Sequence, residues 1–143
     1  MPAFSLAALI RAFLVWVLII AAESVHGTLR RLLLDPDTAF ALRQVSVVVA
    51  VLIVFAVTWI FSRWLAVHST AALLGVGLLW VILTVAFETV FARALGMGWR
   101  EIAAGYDLTR GAIMPLGLLA TALTPWIVRR LKARASTSGR SPA

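Results

Sequence analysis

Glu23, His26 and Arg30 stand at i, i+3 and i+7 within an apolar stretch. That spacing puts all three on one face of a helix. Glu88 stands in a second apolar stretch, with Arg93 just beyond it. Arg43, Tyr106, Asp107 and Arg110 lie where two further apolar stretches begin. Acids inside membrane helices are rare, because a charge near the bilayer centre costs about 2.5–3.5 kcal/mol on insertion scales. Glu23 and Glu88 must therefore pair with arginines, hydrogen-bond, or take up a proton. Two kinds of chemistry follow. The acids can lock helix ends through Arg43 and Arg110, or the same groups can bind or move protons or an anionic solute.

Metal chemistry has less support. Glu23-x-x-His26 has the spacing of carboxylate-bridged di-metal bundles, which need a second copy of the motif and two more acids. Phe91 stands where the second histidine would be, and His68 falls at the opposite end of the expected bundle. Glu23 and His26 are the only metal candidates, and haem at His26 lacks an attachment motif. No cofactor is expected. No nucleophile triad, phosphate loop or dinucleotide fingerprint is present, so nothing points to an enzyme.

The elements that position these residues follow from composition. The chain has 143 residues, 62% hydrophobic and 13% charged, with mean hydropathy +1.00. Soluble domains are about 45–50% apolar and about 25% charged, so lipid is the natural solvent here. There is no cysteine, which excludes disulfides and thiolate sites. The formal net charge is +7, with basic residues flanking the apolar stretches, as membrane helices have them, rather than forming a nucleic-acid footprint. No nucleic-acid partner is expected.

A membrane helix needs about 20 apolar residues. Four such spans are expected, over about residues 10–29, 44–63, 69–90 and 110–129. They make an all-α, four-helix transmembrane bundle over residues 1–135, with a disordered basic tail over 136–143. Arg11 is expected to snorkel to the headgroups. Ile19 and Ile20 occupy positions that should be small before a cleavage site, so the first stretch reads as a span rather than a cleaved signal. Asp35-Pro36 has the character of a helix start, and Asp107 that of a cap for the fourth helix. Trp99, Ile102, Ala103 and Tyr106 fall at the spacing of a short interfacial helix. Gly27, on the face of Glu23, suggests a close approach by a neighbouring backbone. Trp59, Trp64, Trp99 and Trp126 have interfacial positions, whereas Trp16 and Trp80 lie deeper and should pack between helices.

The chain also shows internal similarity. Arg43, Trp59, Ile60 and Arg63 match Arg110, Trp126, Ile127 and Arg130 at one offset, and Glu23-Ser24-Val25 matches Glu88-Thr89-Val90 at another. Chance similarity between interfacial helices and a tandem repeat of two hairpins both fit. A repeat of this kind implies a two-fold axis along the membrane normal.

An even number of spans puts both termini on one side. Arg129, Arg130, Lys132, Arg134 and Arg140 form the densest basic cluster, so that side should be cytoplasmic. The segments Ala22–Arg30 and Tyr106–Gly111 resemble signatures of small, uncharacterised four-span bacterial membrane proteins. The resemblance covers most of the chain and implies a multi-pass protein of the cytoplasmic (inner) membrane, with no activity attached. The small multidrug-resistance transporters offer an architectural analogy: four helices with one essential glutamate in the first. This chain differs in its second glutamate and in its arginines, which weigh against a cationic substrate. The function expected is that of a structural or accessory membrane subunit. The alternatives are a small oligomeric transporter or channel for protons or an anionic solute, and a metal- or haem-binding membrane protein. Partners would be the lipid bilayer and another membrane protein or a second copy of the chain.

Overall fold

The computed structural model describes residues 5–33 and 39–138, with side chains for all of these except residues 31, 33, 39–44, 110 and 138. The described residues form helices and turns. In order they are α1 (Leu6–Leu33), α2 (Ala39–Leu65), α3 (Thr70–Ala94), α4 (Trp99–Ala104), a 3-10 turn (Leu108–Arg110) and α5 (Met114–Ser138). Asp35 and Pro36, the expected helix start, fall outside the described residues.

Three helical stretches are long and apolar enough to cross a membrane: Leu6–Arg30, Val45–Leu65 and Thr70–Ala94. Their outward faces carry exposed aliphatic side chains, such as Leu52, Ile60, Leu78 and Ile82. In water that surface would be prohibitive, and in lipid it is the expected one. The fourth expected span is less regular. Gly111, with φ 78°, closes the 3-10 turn in the left-handed conformation, so α5 starts at Met114 rather than near residue 110. Its apolar part, up to Val128, is about 22 Å long at 1.5 Å per residue, and Pro115, Thr121, Thr124 and Pro125 dilute it. At its far end α5 continues through residues 136–138, where a disordered tail was expected. Ser136 and Thr137 turn their hydroxyls back onto the Ala133 carbonyl instead of competing for the helix.

The four long helices close into a ring in the order α1, α2, α5, α3. Arg30 meets Ser46 at one end of α1 and Arg11 meets Trp64 at the other, so α1 and α2 are antiparallel. The α1–α3 seam is parallel and is held by its two tryptophans. Trp16 Nε1 donates to Thr84 Oγ1 at 3.1 Å, and Trp80 Nε1 donates to the Ala12 carbonyl at 2.8 Å. Both indoles are buried, as their depth in the sequence suggested. Around them Val15, Ile19, Leu73 and Val76 make the core. The α3–α5 seam is the tightest: a Cβ on Gly77 would collide with the backbone carbonyl of Ala122. Lys132 ties α5 to α2 by donating to the Trp59 carbonyl at 2.6 Å and to Ser62 Oγ at 2.7 Å.

This ring revises the symmetry expected of a repeat. A two-fold axis along the membrane normal would set α1 across from α3, and α2 across from α5. Each of those pairs is instead adjacent.

Candidate functional site

The parallel α1–α3 seam decides where the acids go. The bonds from Trp80 to Ala12 and from Trp16 to Thr84 fix the register of the two helices. Glu23 lies seven residues beyond Trp16, and Glu88 eight beyond Trp80. At 1.5 Å per residue the two carboxylates stand about 10–12 Å past the tryptophans, on neighbouring helices. They border a cavity of about 710 Å³ between the long helices. Both glutamates are half-buried, and they are near enough to interact electrostatically. Among the described residues, neither has an ion pair or a hydrogen bond.

The cavity has graded walls. At its inner end stand Trp16, Trp80 and Thr84, followed by Glu23 and Glu88. Further out come His26 and Arg30. Arg30 donates to Ser46 Oγ of α2 at 3.0 Å, which holds its guanidinium toward the far end of α1. One wall is aromatic: the Trp16 and Phe87 rings meet edge-on at 6.3 Å between centroids, and Phe87 stacks on Phe91 at 6.0 Å. From α5 come Gly117 and Thr121.

The remaining residues singled out in the sequence separate into distinct roles. Arg93 is exposed in the last turn of α3 and turns to the connection that follows. It donates to the Met97 carbonyl at 2.8 Å and lies 5.0 Å from the Trp99 ring centroid. Asp107 accepts from the Thr109 N–H at 3.0 Å and so caps the 3-10 turn, well before Met114, where α5 starts. The side chains of Arg43 and Arg110, the expected partners of the acids, fall outside the described residues. Tyr106 stands beyond the spans and within electrostatic reach of Glu88. Burial pushes its phenol pKa up, and the Glu88 charge pushes it in the same direction. Gly27 does not serve a close helix approach. It borders the cavity, and a Cβ there would meet nothing within 4 Å.

Among the described residues, no three of His, Cys, Asp or Glu come together where a metal ion could be held. His68 is exposed between α2 and α3, far along the chain axis from His26. Several lining residues carried no warning in the sequence. Thr84 stands four residues before Glu88, on the same face, and that spacing alone could have marked it. Ser46, Thr121, Met97 and Met114 had no comparable signal.

Comparison of the chain with models of protein families, with curated proteins and with solved structures finds no match. Function must be argued from the cavity itself.

Proposed function

We propose that the chain is a small multi-pass membrane transporter in which Glu23 and Glu88 exchange protons with a solute held in the cavity. One observation carries this reading: two half-buried carboxylates border a common cavity and, among the described residues, have no ion-pair or hydrogen-bond partner. A carboxylate away from bulk water has to be balanced by a proton or by another charge. Where that charge is mobile, occupancy and protonation become linked. The cavity also lies within the roughly 300–1,000 Å³ usual for small-molecule sites.

In this proposal α5 is a fourth crossing. It packs along both α2 and α3, and its apolar part ends at Arg129 and Arg130, as a span ends at an interface. The chain then resides in a bacterial cytoplasmic membrane, with both termini on the cytoplasmic side and the cavity toward the opposite face. Assembly with a second copy is part of the same proposal, since four helices make a thin wall around a solute path.

A second reading has one observation in its favour. Arg30 joins α1 to α2 through Ser46, so part of the polar layer serves packing, as it would in an accessory subunit that docks another membrane protein.

Proton flux into liposomes separates the two. For the transporter, flux is pH-dependent and is lost on Glu23→Gln or Glu88→Gln, while the unfolding temperature in detergent stays within a few degrees. For a packing role, the same substitutions lower the unfolding temperature. Flux that survives in both variants removes these acids from the mechanism.

A further inference from the structure

We infer that the chain holds an anionic phospholipid where α2 and α5 finish, with the lipid phosphate between Arg63, Arg129 and Lys132. This site lies away from the cavity and is independent of transport.

The positive charge at this end of the bundle has no counterpart in the protein. Arg11, Arg63, Arg129, Arg130, Lys132 and Arg134 gather where α1 begins and where α2 and α5 finish. The six acidic residues of the chain all stand elsewhere. Glu23 and Glu88 lie past the midpoints of α1 and α3, and the other four fall in the stretches that join α1 to α2 and α3 to α5. Residues 1–4 and 139–143, outside the described part, add one arginine and no acid. Cations without an internal counterion draw anions from their surroundings, and beside a membrane those are lipid headgroups.

Tryptophans fix the depth of these cations. Arg11 lies 5.9 Å from the Trp64 ring centroid, Lys132 4.9 Å from that of Trp59, and Arg130 4.8 Å from that of Trp126. Cations are attracted to such ring faces. Tryptophan belongs at the headgroup level of a bilayer, and Trp59 and Trp64 sit at the end of the apolar stretch Val45–Leu65. The three pairs therefore hold positive charge where lipid phosphates lie.

Lys132 is the centre of the seat. Two of its three N–H groups point to the Trp59 carbonyl and to Ser62 Oγ, and among the described residues the third has no acceptor. Arg63 lies one turn beyond Trp59, and Arg129 one turn before Lys132, so both share the face of this contact. Both arginines are exposed. A phosphodiester brings a negative charge and acceptor oxygens, which suit an ammonium flanked by guanidinium groups. Apolar surface adjoins the charges: Ile60 is 69% exposed and Leu131 is 40% exposed. Free phosphate has nothing to lay on that surface, whereas a lipid lays its acyl chains along it.

Native mass spectrometry of the purified full chain tests this with two lipids of identical acyl chains, phosphatidylglycerol and phosphatidylcholine. Phosphatidylglycerol should bind about tenfold or more tightly than phosphatidylcholine. Arg63→Gln/Arg129→Gln should abolish that preference. Its unfolding temperature in lipid-free detergent should match that of the parent chain, because neither side chain is buried. Arg93→Gln/Arg100→Gln removes the same charge from the other end of the bundle and should leave the preference intact. Equal binding of the two lipids overturns the inference. An equal loss in both double variants does so too, since net charge alone would then explain the binding. Displacement of phosphatidylglycerol by millimolar inorganic phosphate also overturns it, because the site would then be one for a free anion.

Discussion

At the scale of single residues, Tyr106 is a natural reporter. It is the chain's single tyrosine, so its phenolate absorbance titrates without overlap from another. Burial first, and then the Glu88 charge, disfavour the ionised phenol. The midpoint should therefore lie above the ordinary value of 10.0. A group whose pKa is raised by folding adds stability below its unfolded value and loses that contribution as pH rises through the folded one. The window here is thus alkaline, above about pH 10. Glu88→Gln should move the midpoint down but not fully back, since burial remains. A midpoint indifferent to Glu88 would mean that Tyr106 does not sense the cavity. At this scale the sequence was informative about acids and less so about hydroxyls. Glu23, His26, Arg30 and Glu88 stood out because charge within an apolar run needs a reason. Ser46, Thr84 and Thr121 did not, because such hydroxyls satisfy themselves on their own helix at little cost. Thr121 does this by donating to the Gly117 carbonyl.

At the scale of helices, packing depends on which glycine is crowded. Gly77 lies where α3 and α5 come closest, and Gly27 faces open space. Gly77→Ala should destabilise the bundle by about 1–3 kcal/mol, the usual range for overpacking. Gly27→Ala should stabilise it by about 0.5–1 kcal/mol, through helix propensity alone. Thermal unfolding in detergent checks both, and equal effects would disprove the tight α3–α5 seam. From sequence the two glycines exchange roles, because Gly27 sits beside the polar cluster and Gly77 in a plain apolar run. Spacing tells which face a glycine occupies, not what lies across from it. The start of α5 was hidden for a related reason. Asp107 caps, but it caps a 3-10 turn, and only the left-handed conformation of Gly111 shows that the chain turns again before the helix.

At the scale of the whole molecule, the number of crossings is open to direct measurement. The chain has no cysteine, so single thiols can be introduced on a clean background. Ser69→Cys and Ser136→Cys should react with an impermeant reagent only after the membrane is opened, and Gly98→Cys without opening. A three-crossing chain would instead place Ser136 on the side of Gly98. The three long apolar helices were legible because length and hydropathy are properties of the sequence itself. The ring order was not, since it depends on the tryptophan bonds between α1 and α3. As a fourth crossing, the short apolar part of α5 has a mechanical effect on its surroundings. It spans about 22 Å, against a hydrocarbon core of about 30 Å, and it is bound along its length to partners that span fully. Tilting shortens its reach further, so the lipid beside α5 has to thin. The protein would then be surrounded by an uneven annulus, pinched on one flank, and its preferred neighbours there would be short acyl chains or another α5.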